Sequence, residues 1–220
     1  MTENQRAREL IVTSDIATVA TGLFVELQPR TVALSGGSTP KPVYERLSTT
    51  DFPWAELEVF FGDERCVPPD DPASNFGMAN DALLSKVPAH VHRMHGEDCD
   101  AEGYAAVLAE SFGVGIPEFD LVFLGLGDNG HTASLFPGDP ALEERRRTVV
   151  RVERPDHSRL TLTLPVLSAA RVAMFLISGK EKRPMLAQLL AGGGIPAARV
   201  AAQRIIIVAD EAAAAGLPTP

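Results

Sequence analysis

FDLVFLGLGDNGHTASLFPG, residues 119–138, joins a run of apolar residues to a glycine-rich turn that carries a single histidine, His131. The apolar run 119–124 is typical of a strand buried on both faces of a sheet. Open α/β sheets bind their ligands beyond the carboxyl ends of such strands. A histidine titrates near neutral pH and can take up or release protons there. The stretch therefore predicts an α/β sheet with His131 at its functional edge.

The same stretch contains a glycine pattern known from nucleotide-binding proteins. Gly125, Gly127 and Gly130 fit G-x-G-x-x-G, which in a dinucleotide-binding unit opens a long helix. Only six residues separate Gly130 from the helix-breaking pair Pro137 and Gly138. A long helix does not fit there, so we interpret the match as fortuitous and predict no dinucleotide cofactor.

Further apolar runs and amphipathic segments alternate along the rest of the chain. Near-continuous apolar runs lie at 31–35, 57–61, 171–178 and 204–209. Helices are predicted from about Asn4 to Leu27, after Pro40, from Ser74, near Asp100, over Glu181 to Leu190 and in the alanine-rich tail 211–215. This alternation predicts an α/β fold with a doubly wound, mostly parallel sheet and helices on both faces. RLTLTLP, residues 159–165, alternates strictly, which predicts a strand with one polar face at a sheet edge.

Size and composition favour one globular domain. The chain has 220 residues, 45% of them hydrophobic and 22% charged, and we expect a single domain over 1–220. The formal net charge of −9 disfavours nucleic-acid and membrane partners. No signal peptide and no run of transmembrane length is found in the sequence. Because two cysteines, Cys66 and Cys99, make no disulfide framework, a reducing cytoplasm is the expected compartment.

A second chemical feature is the loop SGGSTP, residues 35–40, which follows the first predicted strand. Gly36 and Gly37 allow the backbone to turn its N–H groups inward, while Ser35, Ser38 and Thr39 add hydroxyl groups before a helix begins. The loop lacks the lysine and spacing of a Walker motif. It predicts a phosphate-binding loop, although a plain glycine turn before a helix is an equally good interpretation of these residues alone.

A third feature is FFGDERCVPPDDPASN, residues 60–75, in which charged residues leave a predicted buried strand. Asp63 there can orient a water molecule or a histidine, and Arg65 can bind a phosphate through two N–H groups. A solvated loop with a local ion pair is the alternative. Cys66 has no base near it in sequence, so an inert thiol is favoured over a nucleophile.

Four motifs together resemble the 6-phosphogluconolactonase family. They are ALSGGSTPKPVYERL (33–47), FFGDERCVP (60–68) with SN (74–75), FDLVFLGLGDNGHTASLFPG (119–138) and RLTLTLPVLSAARVAMFLISGKEK (159–182). The family shares its fold with glucosamine-6-phosphate deaminase, so the resemblance implies a Rossmann-like α/β sandwich. It also implies hydrolysis of 6-phospho-D-glucono-1,5-lactone to 6-phosphogluconate, a step of the oxidative pentose phosphate pathway, by a carboxylic ester hydrolase without a metal or cofactor.

The resemblance also implies roles for single residues. His131 matches the general base and residues 35–39 the phosphate-binding loop. Arg65, Arg159 and Lys182 match cations that bind the phosphate. Lys180 is an alternative to Lys182, because the two lie in the same segment. Asp63 matches the acidic residue that serves as base in the deaminases, and in a lactonase we expect it to order water or sugar hydroxyls.

One departure from the family pattern concerns the partner of the histidine. Relatives carry an acidic residue immediately before the Gly-His pair, whereas this chain has Asn129 there and Asp128 one position earlier. Asparagine can hold the imidazole by a hydrogen bond but cannot stabilise the imidazolium by charge. Either Asn129 acts alone, or Asp128 or Asp63 supplies the charge, and the second alternative is favoured.

Other functions fit the sequence less well. Deamination or isomerisation of glucosamine 6-phosphate requires a glutamate shortly after the histidine, where this chain has Phe136. A sugar-phosphate sensor without catalysis is disfavoured because no DNA-binding segment is attached. The histidines of HVHRMH, residues 90–95, favour surface positions over a metal site. We expect a small phosphorylated sugar lactone as the binding partner, and a monomer or weak homodimer.

Overall fold

The computed structural model describes residues 8–217, which form two sheets and seven α-helices. The seven-stranded sheet has the order β1-β10-β9-β6-β2-β3-β5 and every pair in it is parallel. Its strands are β1 (Arg8–Thr13), β2 (Thr31–Leu34), β3 (Glu58–Phe61), β5 (His90–Val91), β6 (Leu121–Leu124), β9 (Val172–Ile177) and β10 (Arg204–Asp210). The second sheet is antiparallel with the order β4-β8-β7, built from β4 (Asp63–Arg65), β7 (Val149–Val152) and β8 (Arg159–Leu162).

The centre of the large sheet is covered on both faces. Successive side chains of a strand point to opposite faces, and every residue of β6 and β9 is buried. Only a sheet with a covering layer on each side buries consecutive residues in this way. The predicted parallel α/β sheet is therefore confirmed, and the five apolar runs all form strands in it.

Several of the helices begin at residues whose side chains cap them. They are α1 (Ile16–Leu27), α2 (Lys41–Leu47), α3 (Asn75–Ala82), α4 (Ala101–Phe112), α5 (Leu164–Ala169), α6 (Arg183–Ala191) and α7 (Glu211–Ala214). The side chains of Ser74 and Asp100 accept hydrogen bonds from the first turns of α3 and α4, as N-cap residues do. The predicted starts near these residues are confirmed. Helix α6 begins two residues later than predicted, after a 3-10 turn at Lys180–Lys182.

The first predicted helix is wrong over its amino-terminal half. Residues Arg8–Thr13 form β1, which pairs with β10, and only Ile16–Leu27 is helical. Asp15 separates the two elements, since its carboxylate accepts a hydrogen bond from the N–H of Thr18 at 2.9 Å. The apolar residues of β1 fit a strand as well as a helix, and the available sheet edge decides between them. The predicted residues before Arg8 lie outside the described part of the chain.

The strand order places a ligand-binding crevice in the middle of the large sheet. From β2 the chain continues outward through β3 to β5, and it then returns to the other side of β2 to form β6, β9 and β10. Adjacent strands whose connections leave in opposite directions open a crevice at their carboxyl ends. The loop 35–40 follows β2 and the histidine turn follows β6, so both lie at this crevice.

The small sheet was not predicted, and the strand expected at a sheet edge lies at its centre. Strand β8 pairs with β4 on one side and β7 on the other. Its predicted polar face is also wrong, because Thr161 is fully buried. The Thr161 hydroxyl donates to the Leu162 carbonyl at 3.0 Å and accepts from the N–H of Ser134 at 3.2 Å. The Thr161 hydroxyl thus has hydrogen-bond partners inside the protein and can be buried without contact with solvent.

The two cysteines form a disulfide, which contradicts the expectation of free thiols. Cys66 and Cys99 are bonded to each other with their Cα atoms 5.1 Å apart, within the usual range for a disulfide. The bridge joins the segment after β4 to the turn before α4. Sequence spacing does not show that these two segments are neighbours. Cys66 is thereby unavailable as a nucleophile.

Candidate active site

A cavity of about 440 Å³ lies at the carboxyl ends of β2, β3, β6 and β9. Its size suits a small metabolite. The predicted site residues that line it are Ser35, Gly36, Gly37, Ser38, Thr39, Asp63, Arg65, Asp128, His131, Arg159 and Lys182. Asn129 does not line the cavity, but its side chain contacts His131. The structure therefore brings together segments that are far apart in sequence.

The hydrogen bond to Asn129 determines the tautomer of His131. His131 Nδ1 lies 2.7 Å from Asn129 Oδ1, and the backbone N–H of His131 donates to the same oxygen at 3.2 Å. Because the backbone can only donate, the amide oxygen must face the histidine. Nδ1 therefore carries the proton, and Nε2 keeps a lone pair that can accept a proton from a substrate or water.

Burial keeps the imidazole neutral. The pKa of His131 is lowered from its usual 6.5, first by desolvation and then by the positive charges of Arg159 and Lys182, while Asp63 and Asp128 raise it. Part of the burial comes from Phe136, whose ring centre is 4.5 Å from that of the imidazole. Because the folded-state pKa lies below 6.5, His131 is a neutral base at pH 7 and loses this property only in acid.

The backbone of the histidine turn requires glycine. Gly130 has φ +80°, a conformation that favours glycine, and a Cβ atom there would lie 2.6 Å from the side chain of Ile195. At Gly127 a Cβ atom would lie 2.0 Å from the ring of His131. The glycines of the G-x-G-x-x-G pattern thus form a tight turn under the imidazole, and no helix follows them before Pro137. This agrees with the interpretation of the motif as fortuitous.

Asp63 is a buried carboxylate beside the histidine turn. It is 6% exposed. Its Oδ2 accepts from the Ser134 hydroxyl at 2.7 Å, and its Oδ1 accepts from the side-chain amide of Asn75 at 3.2 Å. No salt bridge to Asp63 is found within residues 8–217. Its negative charge is therefore held by neutral donors and acts on His131 through space, where it raises the pKa of the imidazole.

Glu64 has a different role from its two charged neighbours. Its side chain is 1% exposed and accepts hydrogen bonds at 2.7 Å from the backbone N–H groups of Asn75 and Phe76. Burial raises the pKa of Glu64, and these bonds oppose that effect. Since neighbouring residues of a strand point to opposite faces, Asp63 and Arg65 face the cavity while Glu64 holds the start of α3. The interpretation as a solvated loop is wrong for all three residues.

Two arginines lie side by side on neighbouring strands of the small sheet. Arg65 and Arg159 are directly paired in the β4–β8 ladder. Arg65 donates to the Ala73 carbonyl at 2.7 Å and Arg159 to the Asp156 carboxylate at 2.6 Å, yet the Nε atom of each arginine is buried without a partner. Like charges on directly opposite residues destabilise a sheet, and unpartnered buried donors add a further cost. An anion that contacts both arginines would relieve both penalties.

Lys182 also lines the cavity, whereas Lys180 does not. The Lys182 ammonium group forms an ion pair with the carboxylate of Asp128. Lys182 lowers the pKa of Asp128 through this bond and its charge. Asp128 is therefore engaged mainly with the lysine, and of the two carboxylates considered as charge partners of His131 it contributes less than Asp63.

The loop 35–39 is fixed by a buried tyrosine. The Tyr44 hydroxyl accepts from the N–H of Ser35 at 3.0 Å and donates to its carbonyl at 2.9 Å. Ser35 therefore offers the cavity only its hydroxyl, which is buried without a partner. Gly37 has φ +107°, and a Cβ atom on Gly36 would lie 1.7 Å from Asn75 Oδ1. Both glycines are thus required, as expected of a loop that turns closely around a ligand.

Sequence reasoning missed Ser134, Asn75 and the tyrosine that holds the loop. Ser134 lies three positions after the histidine and Asn75 begins α3, and both occur in the quoted motifs without an assigned role. A small polar residue in an otherwise apolar stretch was the available signal for Ser134. Its importance follows only from the approach of Asp63, which belongs to a distant segment.

The histidines of HVHRMH lie in different surroundings, and within residues 8–217 no group with metal-ligand spacing contains two of them. His92 Nε2 bonds to the Glu58 carboxylate at 2.5 Å, and the His92 ring stacks on Phe60. His90 is exposed on β5. Among the described residues, the group with the spacing of metal ligands is His95 with Glu97 and Asp98, all exposed. Such exposed acidic groups are common on protein surfaces.

The parallel sheet and the cavity at its carboxyl edge define the class: an α/β protein with a cavity of metabolite size lined by Arg65, Arg159 and Lys182 among other residues. Comparison with known proteins then identifies the family. The model of the glucosamine-6-phosphate isomerases/6-phosphogluconolactonase family matches residues 4–208. The chain belongs to this family, and it is a hydrolase enzyme. The predicted membership is confirmed.

Individual relatives agree with this assignment. A 6-phosphogluconolactonase from a Synechocystis species is 42% identical over 186 residues, which cover 80% of this chain and 78% of the relative. The structure of 6-phosphogluconolactonase from Trypanosoma cruzi superposes with a TM-score of 0.88 at 29% identity, with 100% of both chains covered. A monomeric glucosamine-6-phosphate deaminase has the same fold, with a TM-score of 0.78 at 22% identity over 94% of this chain and 98% of that chain.

Proposed function

We propose that the protein hydrolyses 6-phospho-D-glucono-1,5-lactone to 6-phosphogluconate, with His131 as the general base. The observation that carries the proposal is the joint position of a neutral imidazole and the facing pair Arg65 and Arg159 in one cavity. The arginines suit a phosphate and the imidazole suits activation of water. A deaminase is disfavoured, because the buried aromatic Phe136 stands where a second acid would be required.

The proposed chemistry begins with water. Nε2 of His131 takes a proton from the water molecule while its oxygen forms a bond to C1 of the lactone, and the carbonyl electrons move to the carbonyl oxygen. The tetrahedral intermediate then collapses, the bond between C1 and the ring oxygen breaks, and the ring oxygen receives the proton from Nε2. Asn129 holds the ring in the required tautomer, and Asp63 stabilises the imidazolium between the two transfers. No step requires a metal.

The phosphate group supplies orientation. In the proposal it is bound by Arg65, Arg159, Lys182 and the loop 35–39, which surround the same cavity. These groups act at a distance from C1, so their binding energy places the lactone carbonyl against His131 without entering the chemical step. General acid–base catalysis by one positioned histidine contributes about 10²–10⁴-fold.

The test is a coupled assay. Glucose-6-phosphate dehydrogenase generates the lactone in situ, and 6-phosphogluconate dehydrogenase reports its hydrolysis as NADPH. A rate equal to the spontaneous rate would reject the proposal. His131→Ala is expected to lower kcat by about 10²-fold with KM nearly unchanged. His90→Ala removes an exposed histidine outside the cavity and serves as the matched control; a His131→Ala enzyme as active as this control would remove the histidine from the mechanism.

The setting of the enzyme forms part of the same proposal. Both sheets contribute to one hydrophobic core, which supports a single domain over 1–220. In residues 8–217 no helix has the length and apolar character needed to cross a membrane. We propose a cytoplasmic monomer or weak homodimer, since the phosphorylated substrate is charged and does not cross membranes freely. Thiol labelling with and without reductant tests whether the Cys66–Cys99 disulfide persists in that compartment.

A further inference from the structure

The carboxylate of Asp63 is held by donors from two separate segments of the chain. Ser134, in the same turn as His131, donates to Oδ2 at 2.7 Å. Asn75, the first residue of α3, donates through its side-chain amide to Oδ1 at 3.2 Å and to the backbone carbonyl of Asp63 at 2.8 Å. All three residues are at least 94% buried, so neither donor is easily replaced by bulk water. The position of Asp63 therefore depends on both segments.

Ser134 is itself rigidly placed. The preceding residue, Ala133, has φ +46°, a left-handed conformation that is uncommon for alanine, and it turns the next residue toward the sheet. The N–H of Ser134 then donates to the Thr161 hydroxyl at 3.2 Å. Thr161 is the residue directly opposite Asp63 in the β4–β8 ladder. The serine thus fastens the histidine turn to the small sheet at the residue that bears the carboxylate.

Several charges act on His131 besides Asp63. Arg159 from β8 and Lys182 before α6 lower its pKa, and Asp128 from its own turn raises it. Lys182 and Asp128 form an ion pair with each other and act on the pKa of His131 in opposite directions. The guanidinium group of Arg154 lies over the ring of Phe136, with its carbon 4.1 Å from the ring centre. Asp63 is the largest of the contributions that favour the imidazolium, so small changes in its position matter.

We propose that Ser134 and Asn75 are positioning residues that act on His131 through Asp63, Ser134 being the stronger of the two. This inference rests on the proposed function, because it assigns the two residues a part in the reaction of His131. Neither side chain exchanges a proton with the substrate. Their role is to keep the charged carboxylate at a fixed place while the imidazole is transiently protonated.

Ser134→Ala is the first test. We expect kcat to fall about tenfold, as for loss of one hydrogen bond to a charged group, with KM changed less than about twofold. Without the hydroxyl the carboxylate of Asp63 is no longer held in place beside the histidine turn, so its effect on His131 weakens and the pKa of His131 should fall, measured by NMR of labelled imidazole. Ser111→Ala is the matched control, because its hydroxyl bonds only to the Val107 carbonyl on the exposed face of α4.

A double-mutant cycle tests the route through Asp63. In an Asp63→Asn background, Ser134→Ala should cause no further loss of kcat and no further change in the pKa of His131. Asn75→Ala alone should lower kcat and the pKa of His131 less than Ser134→Ala does, and in the Asp63→Asn background it should change neither. It supplies the test if Ser134→Ala does not fold. Losses that multiply in the double variants, or an unchanged pKa of His131 in the single variants, would overturn the inference.

The two proposals fail in different ways. If the wild-type protein does not exceed the spontaneous rate in the coupled assay, the proposed function is wrong, and the pKa of His131 still shows whether Ser134 acts through Asp63. If the wild-type protein is active and the cycle is additive, only the positioning role is wrong. If the wild-type protein is active and the losses of kcat in the double-mutant cycle are not additive, the result supports both the proposed function and the positioning role.

Discussion

Asn129→Asp replaces the neutral partner of His131 by a carboxylate at the same position. Asn129 Oδ1 lies 2.7 Å from His131 Nδ1, and aspartate has nearly the same shape, so the hydrogen bond should be kept. The substitution therefore changes charge and leaves orientation alone. It separates the two functions that a carboxylate beside a catalytic histidine performs, of which Asn129 supplies only the first.

The size of the effect follows from the geometry. A carboxylate at this distance places a unit charge about 4 Å from the imidazolium, which is worth about 4 kcal/mol at an effective dielectric constant of about 20. That is an upper limit, because Asn129 is exposed and His131 only half-buried, so water screens the pair. We expect the pKa of His131 to rise by about one unit, or about 1.4 kcal/mol. At a pH below the pKa values of both proteins, the neutral fraction of His131 in the variant, and with it the rate, should be about tenfold lower than in the wild type.

The assay is the pH profile of the coupled reaction after subtraction of the spontaneous rate. Above pH 7 the variant and the wild type should agree within about twofold, and the acidic limb of the variant should lie about one unit higher. Asn80→Asp, which adds the same charge on α3 away from the active-site cavity, should leave the limb in place. An unshifted limb in Asn129→Asp would refute the assignment of Asn129 as the partner of Nδ1.

Three further predictions concern other parts of the molecule. Arg159→Ala and Lys182→Ala should each lower kcat/KM for the phosphorylated lactone about ten- to a hundredfold more than for unphosphorylated gluconolactone, whereas equal losses would indicate a structural role. Gly127→Ala, whose Cβ would lie 2.0 Å from the imidazole, should lower kcat because the ring must move, whereas Gly22→Ala in α1, where nothing lies within 4 Å, should leave kcat unchanged. Reduction of the disulfide, which closes a loop of sequence separation 33, should lower the free energy of unfolding by about 3–4 kcal/mol in denaturant titrations.

The parts of the fold that local sequence determines were predicted correctly. Strands such as β6 and β9 are continuous apolar runs, and Ser74 and Asp100 mark helix starts, so each can be recognised within a few residues. Strand β1 could not be distinguished from a helix in this way, since its neighbour β10 lies at the other end of the chain. The small sheet escaped prediction for the same reason, because its strands are short and gain their stability from distant partners.

The candidate site shows the same division. Position at a strand end was enough to select His131, the loop 35–39 and Asp63, because parallel strands present their carboxyl ends at one edge. The pairing of Arg65 with Arg159 depends on the register of two short antiparallel strands, which no local pattern encodes. The sequence offered Asn129, Asp128 and Asp63 as partners of His131, and only the coordinates show that Asn129 makes the hydrogen bond to Nδ1; the acidic charge partner stays a prediction.

The unpartnered polar atoms show what this arrangement costs the folded protein. Of the six buried side-chain atoms without a partner in residues 8–217, four lie on residues that line the cavity: Ser35, Arg65, Asn75 and Arg159. Each such atom costs about 1–3 kcal/mol, and packing alone would favour apolar replacements. In the proposed function these hydroxyl, amide and guanidinium groups would gain partners from the phosphorylated sugar when it binds. The site is therefore less stable than a core of the same size would be, and under the proposed function binding of the substrate would recover this stability.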